Sequence, residues 1–362
     1  MALSTSTTET AEVRIRELYS RFTFRKMLFI LLLLGALLAL VVVAASLGAA
    51  SVGRGDAFSV IVGRIFPLHL EHTRLAQVVV WQMRLPRILM ALLAGGALAV
   101  SGAVMQGILR NPLASPFTLG IASAAGFGAA LAITLGVGPI GWGKYLVVTN
   151  AFLFALCACF LVYGLARFRG ITSETMILAG IATMYLFSAS TSVLQYIGRR
   201  EDVHVVVFWL MGNLSGATAG RALTILVVLL ACSPVLIKYA WDLNAMAAGD
   251  EVAASLGVNT RQVRIAGMTL ATLITSSVIC FTGTIGFVGL VSPHMTRMMI
   301  GGDHRFLLPS SCLLGALLLL GADTAARTVM APTEIPVGIM TSFVGIPFFL
   351  YLLMKKRKEY WK

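Results

Sequence analysis

Long apolar runs separated by short polar segments recur along the whole chain. Several runs reach the roughly 18 to 20 residues that a helix needs to cross the hydrocarbon core of a bilayer. They lack the alternation of apolar and polar positions that is typical of membrane barrel strands. The pattern therefore predicts an all-α polytopic membrane protein with about ten transmembrane helices. The predicted spans are 27–49, 78–108, 117–138, 146–166, 175–197, 222–240, 265–283, 284–300, 306–326 and 337–354.

The seventh and eighth predicted spans form one nearly continuous apolar run. Gly283, Gly286 and Gly289 interrupt it, and glycine weakens a helix because it has more backbone freedom to lose on folding. We therefore divide the run near Thr284.

Small residues recur every four positions in the second and third spans. In lipid, such a stripe lets two helix backbones approach closely. The stripes therefore predict that both helices lie in the interior of a bundle, and they say nothing about a substrate. Their members are Gly95, Ala99, Ala103 and Gly107 in the second span, and Gly120, Ala124, Gly128, Ala132 and Gly136 in the third.

Composition and charge fit this architecture and indicate its orientation. The chain is 58% hydrophobic and only 12% charged, which is too apolar for a soluble domain of 362 residues. Its net charge of +13 comes from Lys and Arg in the connecting segments, which favours positive-inside topology over nucleic-acid binding. The basic residues predict that both termini are cytoplasmic. On this basis 1–26 is a cytoplasmic N-terminal segment, 27–354 is the transmembrane domain and 355–362 is a basic cytoplasmic tail.

Acidic residues flank the spans and do not lie at their centres. Asp323 and Glu334 flank the outer ends of spans nine and ten, and Glu174 lies at the inner mouth of span five. Secondary transporters driven by protons or sodium usually have acids near mid-membrane, so the sequence argues against that class. The chain also lacks a GxxxxGK[ST] phosphate loop. An ATP-driven cycle would therefore need another chain to bind ATP.

Candidate metal ligands are sparse. His69 and His72 in HLEH offer two imidazoles and a carboxylate, but an isolated i,i+3 pair is more typical of a solvated turn. His294 lies in SPHM near the predicted inner face, where a structural role is the simpler interpretation. The five cysteines fall in apolar runs, as reduced packing residues do. The sequence therefore predicts neither a metal site nor a catalytic site in this chain.

A short polar segment, AAGDEVAASLGV at 247–258, lies between two apolar runs in the predicted cytoplasmic segment 241–264. Asp250 and Glu251 would occupy a first helical turn, where acids complement the positive end of the helix. Gly257 is placed to end the helix as a left-handed cap. The segment therefore predicts a short capped helix.

The apolar residues of this helix suggest two interpretations. Val252, Ala253 and Leu256 are expected to share one face, which would make the helix amphipathic and parallel to the membrane. It is either an ordinary interfacial loop or a contact that docks into a groove on a cytoplasmic motor.

Five motifs follow one another along the chain. They are RLPRILMALLAGGALAVSGAVMQGILRNPLASPFTLGIASAAGFGAALAI (84–133), FWLMGN (208–213), AAGDEVAASLGV (247–258), GFVGLVSPHMTR (286–297) and GADTAARTV followed by EIPVGIMTSFVGIPFFLYLL (321–353). In this order they resemble the motifs of the FecCD-type permeases, the membrane subunits of ABC importers for ferric siderophores, haem and cobalamin. The resemblance covers nearly the whole chain from about Arg84 onward, whereas residues 1–75 are unspecific.

The resemblance implies a multi-subunit machine in a prokaryotic cell (inner) membrane. It implies ten spans per subunit and a dimer of permeases, identical or paralogous, with the translocation pathway between them. Two cytoplasmic ABC ATPase subunits would bind ATP and Mg²⁺, so no cofactor is expected in this chain. An extracytoplasmic substrate-binding protein would deliver a metal chelate.

The resemblance also implies roles for residues on the predicted cytoplasmic side. Thr172 and Ser173, just before the fifth span, match the position of the family's cytoplasmic gate. The segment 249–257 corresponds to the helix that couples the permease to the ATPase. Its residues are Gly249, Asp250, Glu251, Val252, Ala253, Leu256 and Gly257.

The fifth span lines the translocation pathway in such permeases. Here it carries a polar stripe at steps of three or four residues, which places the stripe on one helical face. The alternative is that these side chains bond neighbouring helices, as membrane Ser and Gln often do. The stripe consists of Tyr185, Ser188, Ser192 and Gln195.

Ten basic residues remain on the predicted outer side, more than the positive-inside rule leads one to expect. Among them, Arg84, Arg87 and Arg327 match the family's arginines that receive acidic residues of the binding protein. Arginine suits this task because its planar fork grips a carboxylate through two hydrogen bonds. The alternative is that Arg327 pairs with Asp323 on one helix face while the other two reach lipid phosphates.

The resulting hypothesis is the permease of an ABC importer for a ferric-siderophore-type iron chelate. The same machine could instead carry haem, cobalamin or molybdate. An ATP-independent secondary transporter or channel is the alternative from a different class.

Overall fold

A computed structural model describes residues 2–48, 55, 59–60, 73–138 and 143–354. The His69/His72 pair and the basic tail 355–362 lie outside the described residues. Within the described ranges the regular secondary structure is entirely helical.

The chain forms a series of helices joined by short connections. They are α1 (Ala2–Ser46), α2 (Arg74–Leu109, with a π-helical turn at Val79–Arg84), α3 (Ile121–Leu135), α4 (Leu146–Arg167), α5 (Ser173–Ile197), α6 (Arg200–Leu210), α7 (Ala219–Lys238), α8 (Ala240–Ala247), α9 (Asp250–Ser255), α10 (Thr260–Thr282), α11 (Val288–Ile300), α12 (His304–Thr328) and α13 (Val337–Met354).

Each predicted span coincides with one of these helices, and the prediction of an all-α polytopic membrane protein is confirmed. By length and composition, seven helices of the described chain can cross a membrane, namely Ser20–Ser46 of α1 together with α2, α4, α5, α7, α10 and α12. α3 and α13 are shorter apolar helices. The cytoplasmic location of the two termini remains a prediction. We call the end of the bundle that contains α9 the inner end, and the opposite end the outer end.

α3 is shorter than its predicted span of 117–138. Gly120 and Gly136 flank the helix with φ angles of 78° and 65°, in the left-handed region that ends helices. The prediction of a packing stripe is wrong for Gly136, where a Cβ would meet nothing within 4 Å. Gly120 does pack closely, because a Cβ there would lie 2.8 Å from the backbone nitrogen of Met184 in α5. Gly128, in the middle of the helix, does pack, because a Cβ there would lie 2.5 Å from the carbonyl oxygen of Asn150.

α2 is the central helix, and it packs against α10, α11 and α12. The predicted small-residue stripe explains part of this packing. A Cβ on Gly95 would overlap the backbone of Gly315 in α12. The predicted stripe does not include a second close approach two turns further along nearly the same face of α2, where a Cβ on Gly102 would overlap the carbonyl oxygen of Gly289 in α11. Close backbone packing against two helices makes α2 the central helix of the bundle.

The break between α10 and α11 falls where the sequence predicts it. α10 ends before Gly283, which has a φ of 68°. The irregular backbone at this break is paired by hydrogen bonds, as non-helical backbone inside a membrane protein must be. Asn213 N donates to Thr282 O at 2.7 Å, and the Thr284 hydroxyl donates to Leu210 O. The end of α6 and the residues after it thus provide hydrogen-bond partners for the break.

Replacing Gly102 with alanine is expected to destabilise the bundle. The new methyl group would overlap the Gly289 carbonyl oxygen, so α2 and α11 would have to separate. Overpacking of this kind costs about 1–3 kcal/mol. Gly164→Ala in α4 is the matched control, because a Cβ there meets nothing within 4 Å. Thermal unfolding in detergent measures both variants, and equal melting temperatures would contradict the close approach.

Candidate functional site: charged clusters at the two ends of the bundle

Two charged clusters lie at opposite ends of α2. The inner cluster surrounds Arg264 next to Ile108, and the outer cluster surrounds Asp323 next to Arg87. Ile108 and Arg87 are 21 residues apart on one helix, so the clusters are separated by about 30 Å at the rise of an α-helix. A single rigid element therefore connects both faces of the protein.

The short helix predicted at the inner end is confirmed as α9. It begins after Gly249, with a φ of 123°, and stops before Gly257, with a φ of 84°. Gly257 N donates to Ala254 O and Val258 N donates to Ala253 O, both at 2.9 Å. This pair of bonds is the Schellman arrangement, which a glycine after the last helical turn favours.

α9 exposes two apolar side chains at the inner end. Val252 and Leu256 are 45% and 68% exposed, whereas Ala253 is fully buried against the bundle. The expectation that all three share one face is therefore wrong. Residues four apart lie on the same side of a helix, but adjacent residues point about 100° apart. The exposed pair leaves an apolar surface directed away from the chain.

Asp250 ties α9 to the bundle through Arg264. Arg264 Nη2 donates to Asp250 Oδ1 at 2.7 Å and to Oδ2 at 2.8 Å. Arg264 lies in the first turns of α10 and is only 2% exposed. In the sequence Arg264 is the last residue of the predicted cytoplasmic segment 241–264, and nothing there indicates that it is buried. The two residues are 14 positions apart and on different helices, so no local spacing signals the pair.

The predicted gate residues lie beside the same arginine. Thr172 caps the N-terminus of α5, where its side chain accepts a hydrogen bond from Thr175 N at 3.3 Å. Arg264 Nη2 donates to the Ser173 hydroxyl at 3.2 Å, and its Nη1 donates to Ile171 O at 3.4 Å. The structure thus brings together residues 171–173, which we call the predicted gate loop, and α9, which the sequence could not relate to each other.

At the outer end, Arg87 is held by two acids of the same chain. Its Nε donates to Asp323 Oδ1 at 2.9 Å, and its Nη1 donates to both carboxylate oxygens of Glu334 at 3.0 and 2.8 Å. The Asp323 side chain is fully buried, whereas that of Glu334 is 39% exposed. Glu334 is therefore the partner that solvent reaches.

The other two arginines of the outer cluster hold the end of α1. Arg84 Nη1 donates to Ala45 O at 2.7 Å, and Arg327 Nη2 donates to Ala44 O at 3.4 Å. Arg327 also pairs with Asp323 at 3.1 Å, as the structural alternative expected. Arg84, Arg87 and Arg327 are at most 9% exposed. A docking role for them therefore has to account for their burial and their existing partners.

The polar stripe of α5 lies mostly on the surface of the chain. Tyr185, Ser188 and Ser192 are exposed, and Gln195 is partly buried. The opposite face of α5, with Phe187, is buried in the bundle. The stripe contacts a neighbouring helix through a weak hydroxyl contact of 3.4 Å between Ser188 and Ser123 in α3.

The described residues contain no group of three or more His, Cys, Asp or Glu side chains that could hold a metal ion. All five cysteines are free. The His294 ring packs against Phe348 with 5.9 Å between ring centroids, in line with a structural role.

Comparisons with known proteins agree with this architecture. The chain is 43% identical over 289 residues to the cobalamin import system permease protein BtuC of Halobacterium salinarum, covering 79% of this chain and 76% of that one. It is 40% identical over 282 residues to the hemin transport system permease protein HmuU of Yersinia pestis, covering 77% and 84% of the two chains.

A solved structure described as a metal-chelate type ABC transporter in an inward-facing conformation superposes with a TM-score of 0.79. Its sequence is 34% identical, and the match covers 90% of this chain and 99% of that one. The model of the FecCD transport family matches residues 32–355. In such importers the permease is a transport component that works with a second permease subunit, a separate ATPase and a binding protein. The chain therefore belongs to the FecCD transport family and is the membrane-spanning permease component of an ABC importer.

Proposed function

We propose that this permease moves a ferric-siderophore-type iron chelate across a prokaryotic cell (inner) membrane. A binding protein delivers the chelate at the outer end, and two ATPase subunits drive the cycle from the inner end. The observation that supports this division is the presence of two different contact surfaces at the ends of one helix, α2. Family membership favours this machine over an ATP-independent secondary transporter or channel.

The inner surface suits an ATPase. Val252 and Leu256 form an exposed apolar pair on a short, capped helix, and helices with such anchors dock into grooves of partner proteins. Asp250 and Glu251 at its start keep the helix end electrostatically stable. ATP and Mg²⁺ are bound by the ATPase, and this chain needs no cofactor of its own.

The exposed stripe of α5 suits a pathway between two permease subunits. Tyr185, Ser188 and Ser192 face away from their own bundle, so a second copy or a paralogue placed opposite would enclose them. Hydroxyl groups can exchange hydrogen bonds with the polar exterior of a chelate while its iron stays enclosed in the organic ligand. Haem, cobalamin and molybdate are alternative cargoes, and relatives named for cobalamin and hemin make the first two specific alternatives.

The outer surface can bind an acidic partner protein if the ion pair between Arg87 and Glu334 opens. The guanidinium of Arg87 is already bonded to Asp323 and Glu334. Glu334, however, is partly exposed and lies just before α13. A carboxylate of the binding protein can therefore replace Glu334, while Asp323 keeps the arginine in place. Such an exchange conserves the number of charge-assisted hydrogen bonds, so little free energy opposes it.

Leu256→Asp is expected to weaken the ATPase contact. The substitution removes an apolar anchor and places an unpaired charge in the interface, at a cost of about 2 kcal/mol or more. Co-purification of the cognate ATPase and ATP-driven uptake into vesicles measure the effect. Val329→Asp is the control, because Val329 is similarly exposed, at 66%, but lies at the outer end. Unchanged co-purification and uptake for Leu256→Asp would rule out the proposed contact.

If a carboxylate of the binding protein replaces Glu334, substitutions of Glu334 and of Arg87 should change the affinity for the binding protein in opposite directions. Glu334→Gln should bind the binding protein about ten-fold more tightly because a competing charge is gone, whereas Arg87→Gln should bind it about ten-fold more weakly. Arg200→Gln, an exposed arginine at the same end, should change little. Affinity is measured on detergent-solubilised permease, and a thermal melt of each sample checks that it is folded. Equal affinities for all three variants would leave the arginines with a purely structural role.

A further inference from the structure

Arg264 is one of the largest fully buried side chains of the described bundle. A buried guanidinium is costly unless hydrogen bonds and an opposite charge compensate for lost water. Arg264 meets this requirement with acceptors on three separate parts of the chain. They are the C-terminal turn of α2 (Ile108 O, 3.1 Å), the gate loop (Ile171 O, 3.4 Å, and Ser173 Oγ, 3.2 Å) and the first residue of α9 (Asp250, 2.7 and 2.8 Å).

The geometry of arginine turns these contacts into a rigid junction. Its N–H donors are fixed in one plane, so a group that moves one acceptor must move the guanidinium or lose the bond. Asp250 is the charged member and accepts two bonds, which makes it the strongest connection of the set. The gate loop is held by neutral acceptors, which are weaker.

α9 is attached to the bundle at few points. Of its six residues, Ala253 is the buried one. Gly249 and Gly257, both at positive φ, join the helix to α8 and α10. A force applied to the exposed Val252 and Leu256 therefore reaches the bundle mainly through Ala253 and the Asp250–Arg264 pair.

We propose that Arg264 is a positioning residue that transmits displacement of α9 to the gate loop 171–173. The inference rests on the proposed contact between α9 and the ATPase. When that subunit moves α9, Asp250 pulls the guanidinium, and the guanidinium shifts Ser173 and the N-terminus of α5. Ile108 at the end of α2 is the fixed point against which the junction turns.

The test measures the gate directly in the reconstituted permease–ATPase complex. Thr172→Cys is introduced after the five native cysteines are removed, and its rate of reaction with a water-soluble thiol reagent is compared with and without ATP. In this parent complex ATP is expected to change the rate. Asp250→Asn should reduce the ATP-dependent change about five-fold or more, at the lower end of energetic couplings between sites. ATP hydrolysis and ATPase association are measured on the same samples.

Arg261→Gln is the matched control. It removes a charge from α10 one turn before Arg264, but Arg261 is exposed and makes none of the contacts of the junction, so the gate response should be retained. Arg264→Lys is a second variant, and it keeps a positive charge at this position. Lysine can still pair with Asp250, but it lacks the planar fork that spans to Ile171 and Ser173, so the gate response should fall here too.

Each outcome decides the matter. A full gate response in both Asp250→Asn and Arg264→Lys would overturn the role of Arg264 while leaving the ATPase contact of α9 intact. A parent complex in which ATP does not change the reactivity of the gate cysteine would overturn both the relay and the coupling role of α9. If ATP hydrolysis is lost together with the gate response, Arg264 has only a structural role.

Discussion

Close packing of α2 against α11 and α12 is the interaction on which the rest of the molecule depends. Lipid offers helices almost no hydrophobic drive to associate, so their contact must come from backbone surfaces that fit closely. Gly95 against Gly315 and Gly102 against Gly289 provide that fit at two levels along one helix. Because α2 is fixed in this way, the residues at its two ends are fixed relative to the other helices as well.

A second constraint follows from the same environment. Charges and free backbone groups inside the bundle have to find partners within the chain. Asp323 lies between Arg87 and Arg327, and Arg264 meets acceptors from three parts of the chain. The break after α10 is paired with the segment after α6. Several of these contacts join segments far apart in sequence, such as Arg87 with Asp323 and Arg264 with Ile108, so these polar residues fix how the helices are placed relative to each other.

This arrangement gives a physical basis for an alternating machine. The inner junction and the outer cluster use ion pairs in which the carboxylates, Asp250 and Glu334, are partly exposed and the arginines are buried. α5 joins the two regions by presenting its polar stripe between them and starting at the gate loop. The chain therefore combines a rigid axis with contacts that can be exchanged at both ends.

The sequence by itself determined the helical membrane fold, the approximate location of its apolar helices, the break near Thr284 and the capped helix α9. These features depend on hydrophobic length, glycine and capping residues, all of which are local in the chain. It misassigned Gly136, whose spacing suits packing and capping equally well. The burial of Arg87 and the junction at Arg264 were decided only by the tertiary structure. Both depend on carboxylates and carbonyls from distant segments, and a one-dimensional pattern contains no signal for which distant groups will meet around one guanidinium.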